Sequence, residues 1–298
     1  MESTEHLHRQ IEGLEDLRTI VKTMKSLSAV SIRQYEQAVE ALGHYYRTVE
    51  LGLQATLGPM ARPRTQRRRR GESPRSAVIV FGSDHGLCGR FNEEVSTRAL
   101  ERARTELAGS GWHRVLVVGA LAAASLEEAA QPLEEILPAP GAASRITATV
   151  QQMLVRVDAW RSRDGVDNVY LFYNQPRARS GYRTTEEKLL PVDVDRLRRV
   201  EEERWPSRSL PFFTMDPWRL VAALLRQYIF VSLFRACAAS QASEHSSRLA
   251  AMQAAEKNLD EHLEEVITTY RRVRQAAITT ELLDVVAGFE AVSGDGGE

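Results

Sequence analysis

The segment from Gly82 to Asn92, GSDHGLCGRFN, holds the residues most able to bind a ligand. It follows an apolar run and precedes a helical pattern, which is where phosphate-binding loops lie, because backbone N–H groups and the helix dipole favour an anion there. The spacing argues against that ligand. A P-loop needs two glycines separated by four residues and then Lys and Ser or Thr, whereas Gly89 is followed by Arg90 and Phe91. The dinucleotide pattern GxGxxG is also absent.

The same segment invites a catalytic interpretation, because Asp84, His85 and Cys88 supply an acid, a base and a nucleophile. No serine or second acid is placed in the sequence to complete a triad with them. The sequence therefore favours a turn, made possible by its glycines, that presents a loop to a partner. A small-molecule enzyme with a polar pocket in the middle of the chain remains a competing hypothesis.

Composition excludes several classes of protein. The 298 residues include 39 basic and 40 acidic side chains, and this balance argues against bulk attraction to nucleic acid. The cysteines, Cys88 and Cys237, form no metal-ligand or disulfide pattern, so no metal and no cofactor are expected and a reducing cytoplasm is the natural setting. The run from Arg67 to Arg70 fits a bound phosphate, an acidic partner surface or a solvated loop.

No membrane-spanning segment is expected. The N-terminus lacks the apolar core of a signal peptide. The most apolar long window, from Trp218 to Ala239, contains Arg219, Arg226 and Arg235, and each arginine costs about 2.5–3.5 kcal/mol at a bilayer centre.

Both ends of the chain have the periodicity of long helices. In the first helix, apolar residues recur in steps of four and three, as in a coiled-coil seam, until Gly58 and Pro59 end it. The last helix can begin at Asp216 as N-cap with Pro217 in its first turn. The seam positions are Leu7, Ile11, Leu14, Leu17, Val21, Met24 and Leu27 in the first helix, and Leu259, Leu263, Val266, Tyr270, Val273 and Ala277 in the last.

Two such helices must pack on one another or inside a partner, since neither can bury an apolar face alone. A pair of core helices in a helical bundle is an equally good interpretation of the periodicity alone. Between Ala236 and Ala255 the last helix is rich in Ala and Ser, which allow another backbone to approach closely.

The middle of the chain alternates between strand and helix patterns and predicts a small α/β domain. Strands are expected at 77–81, 115–118, 169–173 and 181–190, helices at 92–107 and 145–161, and a loop at 132–141. The whole chain divides into a coiled-coil helix at 1–57, a linker at 58–75, an α/β domain at 76–213, a second coiled-coil helix at 214–292 and a flexible tail at 293–298.

Four stretches together resemble one family. SDHGLCGRFN at 83–92, ASEHSSRLAAMQAAEKN at 242–258 and YRRVRQAAITTELLDVVAGFEAV at 270–292 are similar to segments of the gamma subunit of F-type ATP synthases, and IVKTMKSLSAV at 20–30 is similar but weaker. The C-terminal signature is long and specific. The resemblance covers both ends and the first strand of the centre, and elsewhere follows the order of elements.

The resemblance implies an α/β fold with a long coiled coil: the terminal helices form an antiparallel coiled coil, and a central Rossmann-like domain forms a foot. It implies a non-catalytic, peripheral central-stalk subunit that couples hydrogen-ion or other ion transport to ATP synthesis or hydrolysis. The implied partners are three alpha and three beta subunits, an epsilon-type subunit and the membrane c-ring, at the cytoplasmic face of a bacterial plasma membrane. A free-standing coiled-coil scaffold is the alternative.

The resemblance also transfers contact residues for the alpha/beta ring. Arg274 and Gln275 match a pair that makes polar contacts with one catalytic subunit, and Arg274 could fork to a carboxylate there. The loop residues Leu87, Cys88 and Gly89 match a loop near the acidic lever of that subunit, where Arg90 could add a charge. Apolar contacts with a surrounding sleeve are expected from Ile278, Leu282 and Val285.

The sequence also departs from the family. The stretches at 13–17 and 26–31 replace the family's usual polar and alanine–lysine patterns, and the run from Arg67 to Arg70 is unusual. These differences indicate a divergent bacterial branch. Lys22, Lys25, Arg33, Arg271 and Arg272 are either further contacts for an acidic partner surface or solvated flanks of the coiled coil.

Overall fold

The computed structural model describes residues 3–57, 74–106, 112–177, 181–193 and 212–294. The run from Arg67 to Arg70 and nearly all of the predicted linker at 58–75 lie outside the described residues. The helices are α1 (Thr4–Leu57), α2 (Phe91–Glu106), α3 (Ala120–Glu128), α4 (Ile146–Ser162) and α5 (Pro217–Gly294), with a short 3-10 turn at Ala143–Arg145 before α4. The strands are β1 (Ser76–Phe81), β2 (Arg114–Val118), β3 (Glu135–Leu137), β4 (Asn168–Pro176) and β5 (Tyr182–Leu190).

The five strands form one sheet in the order β3-β2-β1-β4-β5. The first four strands of this order run parallel, and β5 pairs antiparallel with β4. Every residue of β1 is buried, as the continuous apolar run predicts for a strand covered on both faces. The four predicted strands and two predicted helices of this region are confirmed as β1, β2, β4, β5, α2 and α4.

Two elements of the sheet region were missed. Helix α3 is short, and its N-cap Gly119 makes no side-chain cap, so the usual start signal is lacking. The interpretation of 132–141 as a loop throughout was wrong, because β3 lies within it. Three residues are too few for a period to show, and β3 exists through its pairing with β2, where Leu116 aligns with Glu135.

Helices cover both faces of the sheet, which confirms the predicted α/β class. Helices α2 and α3 close one face around Val78, Val80 and Phe172. On the other face, α4 and the Ala-rich part of α5 pack around Ile79, Leu171 and their neighbours, and Tyr35 of α1 joins this core. Asp216 caps α5 as predicted, because its Oδ1 accepts a hydrogen bond of 2.9 Å from the Arg219 N–H.

Residues up to Leu27 and from Leu249 onward form one compact unit, and Ser28–Arg248 form another. In the first unit the helices are antiparallel, because Arg18 pairs with Asp260 at 2.7 Å while Lys25 pairs with the earlier residue Glu256 at 2.5 Å. The unit that holds the sheet also contains the adjoining parts of α1 and α5.

The predicted seam of α1 needs a correction at two positions. Leu17 is 51% exposed and Leu27 is 63% exposed, whereas Leu7 is buried. Arg18 and Lys25 are instead less exposed than these leucines and form ion pairs with the other helix. An α-helix has 3.6 residues per turn, so a step of three residues, as from Leu14 to Leu17, falls short of a full turn and leaves the inner face. A step of four residues from Leu14 reaches Arg18 instead. In α5, Leu263 and Val266 are buried as predicted, while Ala277 is exposed.

Among the described residues, one helix, α5, is long and apolar enough by length and composition to cross a membrane. Half of its most apolar window is buried inside the protein, as is usual for a core helix, so the feature is weak evidence for a span. The expectation that no segment spans a membrane stays a prediction.

Candidate partner-contact loop and helix tip

The loop after β1 begins with a reciprocal pair of hydrogen bonds. The Ser83 backbone N–H donates to Asn92 Oδ1 at 2.9 Å, and Asn92 Nδ2 donates to Ser83 Oγ at 2.9 Å. Ser83 Oγ in turn donates to the His85 carbonyl at 3.0 Å. Gly82 precedes this turn, and a Cβ there would lie only 2.2 Å from the Ala122 Cβ of α3. The start of α2 and the end of β1 are thereby fixed together.

Asp84 organises the loop and its surroundings. Its Oδ1 accepts a hydrogen bond from the Ala120 N–H at 3.0 Å, at the beginning of α3, and its Oδ2 accepts one from the Ala139 N–H at 2.9 Å, after β3. Both carboxylate oxygens therefore bind backbone donors from two other connections at this end of the sheet. This arrangement gives Asp84 a structural role. Because both oxygens are engaged with backbone amides, the arrangement argues against Asp84 as the acid of a catalytic site.

Cys88 lies in the same loop with its side chain turned inward. It is 2% exposed, and its Sγ lies 3.7 Å from both Ser83 Oγ and Asn92 Nδ2. Burial raises the pKa of this thiol, which keeps it protonated and unreactive at neutral pH. Its side chain packs the loop from inside, and the contact of Cys88 with a partner stays a prediction.

One face of α5 binds the carboxyl edge of the sheet through serine hydroxyls. Ser240 donates to the Phe81 carbonyl at 3.3 Å, and Ser243 donates to the Asn174 carbonyl at 3.0 Å. Ser247 donates to the Cys88 carbonyl at 2.6 Å. The spacing of 3 and 4 residues places these hydroxyls along one side of the helix. The Ala- and Ser-rich composition predicted close approach of a backbone, and that backbone is the sheet and its loop.

A buried ion pair extends the same face. Arg248 Nη2 lies 2.7 Å from Glu244 Oε1, and their side chains are only 8% and 6% exposed. Arg248 Nη2 also donates to the His85 carbonyl at 3.0 Å and to the Gly86 carbonyl at 3.2 Å. Burial raises the pKa of Glu244, and the Arg248 guanidinium partly offsets that shift. Sequence reasoning missed both residues as site residues, although an acid and a base four residues apart in an Ala/Ser run were a usable signal.

His245 connects this face to α1. Its ring stacks on Tyr35 at a centroid distance of 5.6 Å, and the Tyr35 hydroxyl donates to the Pro140 carbonyl at 2.6 Å. Burial, with a further contribution from Arg248, lowers the pKa of His245 to about 4. The imidazole is therefore neutral at physiological pH.

The outer side of the loop carries the other predicted contact residues. Leu87 has a φ of 61° and is 61% exposed, and Gly89 also has a φ of 61°. A left-handed conformation costs a residue with a Cβ roughly 1–2 kcal/mol, which glycine avoids. Arg90 is exposed and forms an ion pair with Glu93, three residues along α2, at 3.0 Å. Leu87, Gly89 and Arg90 thus share an accessible loop.

The remaining predicted contact residues lie near the C-terminal end of α5, in the other compact unit. Arg274, Gln275, Ile278, Leu282 and Val285 are all exposed. Exposed apolar side chains recur on more than one side of the helix, since Leu283 and Val286 are exposed as well as Leu282 and Val285. The tip thus presents apolar surface with no cover from the described residues of the chain.

The described residues contain no group of three or more His, Cys, Asp or Glu side chains that could hold a metal ion. The prediction that the chain uses no cofactor stays a prediction.

The fold of this chain is similar to that of chains in solved ATP synthase structures. The rotor of the Euglena gracilis mitochondrial ATP synthase aligns over 92% of this chain and 98% of its own, with a TM-score of 0.63 and 15% identity. A central-stalk chain of the Tetrahymena thermophila mitochondrial enzyme aligns over 79% of this chain and 99% of its own, with a TM-score of 0.51 and 23% identity. These likenesses show the fold.

Sequence comparison gives the family. The family model described as ATP synthase matches residues 3–292. The ATP synthase gamma chain of Geobacter metallireducens is 30% identical over 99% of this chain and 100% of its own length, and that of Cyanothece sp. is 28% identical over 98% and 100%. The chain belongs to the ATP synthase gamma chain family. It is a non-catalytic central-stalk subunit of an F-type ATP synthase, as the resemblance implied.

Proposed function

We propose that this chain is the turning shaft that couples ion flow through a membrane rotor ring to ATP synthesis or hydrolysis in a ring of three alpha and three beta subunits. The observation that carries the proposal is the uncovered apolar tip of α5. A helix that is apolar on several sides needs an enclosing partner, and an apolar sleeve offers few directional bonds to resist turning. An asymmetric shaft inside such a ring biases each catalytic site differently, and this coupling is reciprocal.

Two groups of residues contact the ring in this proposal. At the tip, Arg274 and Gln275 form polar contacts that latch particular angles, while Ile278, Leu282 and Val285 lie against apolar walls. The exposed guanidinium of Arg274 forms no ion pair within the described residues, which leaves its fork available for a carboxylate. The second group is the loop of Leu87, Gly89 and Arg90. Cys88 belongs to the same loop, with its side chain buried.

The α/β domain, proposed at 76–213, acts as the foot on the c-ring, and an epsilon-type subunit is a further proposed partner. In this assignment the segments 1–57 and 214–292 are the two coiled-coil helices, 58–75 is a linker and 293–298 is a tail. The chain is peripheral and lies on the cytoplasmic face of a bacterial plasma membrane. Bacterial gamma chains that align with it over their whole length support this location.

Native mass spectrometry tests the shaft role directly. The chain is co-expressed with its own alpha and beta subunits, and the ATPase activity of the purified complex is measured. One copy of the chain in a three-plus-three assembly with turnover is the expected result. A stable monomer or homodimer that ignores those subunits would contradict the proposal and favour the coiled-coil scaffold.

The latch assignment predicts the effect of Arg274→Ala. Loss of a charge-assisted hydrogen bond, about 1.5–3 kcal/mol, should weaken assembly or coupled turnover roughly ten- to hundred-fold. The fold of the free chain should not change, because the side chain is exposed. Lys257→Ala is the matched control, since Lys257 is an exposed cation of the same helix that pairs with Glu261, four residues on. Equal ATPase activity and assembly in both variants would refute the latch.

A further inference from the structure

We propose that Arg248 and Ser247 are positioning residues for Leu87: they hold the loop after β1 in the one conformation that presents the Leu87 side chain to the alpha/beta ring. This inference deepens the proposed function and rests on it. It assigns a role in partner contact to two residues that themselves lie behind the contact surface.

The first observation is the conformation of Leu87. A leucine at a φ of 61° is disfavoured by its Cβ, and the side chain does not compensate by burial, since it is 61% exposed. The fold of the chain alone therefore gains nothing from a leucine at this position. A strained backbone that persists must be held by its surroundings, and such positions concentrate at functional sites.

The second observation is what holds it. Arg248 Nη2 binds the carbonyls of His85 and Gly86, immediately before Leu87, and Ser247 Oγ binds the carbonyl of Cys88, immediately after it. Adjacent residues of one helix therefore fix the peptide groups on both sides of the strained residue. A loop held only at its ends could relax Leu87 to a favourable φ, whereas this loop is restrained on both sides of Leu87.

The third observation is the kind of group that does the holding. Removing a guanidinium and a carboxylate from water is costly, and an apolar pair of similar volume often stabilises a protein as well or better. The buried pair of Arg248 and Glu244 is therefore poorly explained by stability alone. The forked, planar guanidinium contributes something an apolar side chain cannot: several donors in fixed directions, here used on Glu244 and on two loop carbonyls.

The consequence is mechanical. Ser240 and Ser243 bind the same face of α5 to the end of β1 and to β4. The helix, the sheet edge and the loop are thus joined by hydrogen bonds. Because the loop is restrained, a force on Leu87 is transmitted to α5 and is not lost in movement of the loop.

The decisive experiment is a double-mutant cycle in the complete membrane-bound complex. The readout is the coupling ratio, the ion pumping per ATP hydrolysed in vesicles, for the unmodified chain, Arg248→Met, Leu87→Ala and the double variant. Each single variant should lower the coupling ratio about three-fold or more. The double variant should have a coupling ratio no lower than that of the more impaired single variant. Independent, multiplying losses would overturn the proposal, because they would mean that Arg248 does not act through Leu87.

Hydrogen exchange of the amides at 85–90 in the same complex gives a second readout. Arg248→Met should accelerate exchange there at least ten-fold, while Arg226→Met should not, since Arg226 is an exposed arginine of α5 paired with Asp158. Unchanged exchange in Arg248→Met would overturn the proposal. If Arg248→Met does not assemble, Arg248→Lys takes its place, because lysine keeps the charge but lacks the forked guanidinium. Arg248→Lys should also accelerate exchange at 85–90, to a smaller degree. Unchanged exchange in Arg248→Lys would equally refute the positioning role.

Leu87→Asn separates the side chain from the backbone, because asparagine tolerates the left-handed conformation. This variant should keep slow amide exchange and lose coupling as Leu87→Ala does; full coupling would overturn the proposal. Failure of the unmodified chain to assemble with alpha and beta subunits would refute the proposed function itself. Normal assembly with full coupling in Arg248→Met would refute only the positioning role.

Discussion

Two stretches of α5 have a burial opposite to the one that their composition alone predicts. The sheet-packed stretch, Val231–Arg248, consists largely of Ala, Ser and polar residues, yet none of its residues is exposed. The tip stretch, Arg274–Ala287, contains isoleucine, leucine and valine, and every residue is exposed. Small residues are buried because they allow close approach of the helix to the sheet. Large apolar residues are exposed at the tip, where the proposed partner is another chain.

The largest expected effect is the difference in the free energy of unfolding between a leucine-to-alanine substitution in the sheet-packed stretch and one in the tip stretch. Leu233→Ala removes a fully buried side chain from the core beneath the sheet and should lower the free energy of unfolding by about 2–5 kcal/mol. Leu282→Ala should change it by no more than about 0.5 kcal/mol, because Leu282 is exposed. Urea unfolding of the free chain, followed by tryptophan fluorescence, to which the buried Trp112 and Trp160 contribute, measures both.

In assembly the order should reverse. Leu282→Ala should weaken binding to alpha and beta subunits about ten-fold or more, since burying a leucine side chain contributes roughly 1.5–3 kcal/mol. Binding of the two variants is compared under conditions in which both are folded. A tip variant that destabilises the free chain as much as Leu233→Ala would erase the contrast between the stretches.

A smaller effect comes from His245 in the sheet-packed stretch. Its pKa is about 4 in the folded chain against 6.5 for the free side chain, so the unfolded chain binds the extra proton between these values. Stability should therefore be constant in this respect above pH 6.5 and fall as the pH drops from 6.5 to 4, by about 2 kcal/mol after allowance for the partly accessible ring.

The variant His245→Phe isolates this titration. Phenylalanine keeps an aromatic ring against Tyr35 but carries no proton, so the difference in unfolding free energy between the two chains should grow with acidification. A difference that does not vary between pH 7 and pH 4 would show that the imidazole is not held neutral. The tip stretch contains no histidine and should contribute no such dependence.

The smallest expected effect lies in α1 and tests how far helix propensity limits the stability of the sheet-containing unit. Gly43 has open space where a Cβ would stand, so Gly43→Ala should stabilise the chain by about 0.5–1 kcal/mol. Gly52→Ala is the control, because its Cβ would lie 3.1 Å from Leu224 Cδ2 and force that side chain to move. Thermal unfolding should show a gain for the first variant only.

The sequence predicted the elements whose signals are local. Asp216 with Pro217 located the beginning of α5, and the apolar run at 77–81 located β1. The four-and-three spacing located α1 but placed Leu17 and Leu27 on its inner face, because apolar character usually indicates burial. Leu17 is exposed, and the charged Arg18 beside it is drawn toward Asp260.

The site was less predictable, because its bonds join residues far apart in the chain. Arg248 and His85 are 163 positions apart, and nothing in either neighbourhood indicates the other. The loop was recognisable from its glycines and from the family resemblance, but neither the burial of the Cys88 side chain nor the partners of Asp84 could be predicted. Both depend on tertiary contacts: a packed thiol, and a carboxylate that binds the amides of Ala120 and Ala139.

The stability of the paired antiparallel helices should depend on ionic strength, because two ion pairs join them: Arg18 with Asp260 and Lys25 with Glu256. Each pair keeps partial contact with solvent, so dissolved salt screens it, with a Debye length of about 10 Å at 0.1 M and about 3 Å at 1 M. The apolar and backbone contacts around the sheet are far less sensitive. Concentrated salt should therefore loosen the paired helices before it affects the sheet, which makes electrolyte concentration a means of loosening one compact unit while the other stays folded.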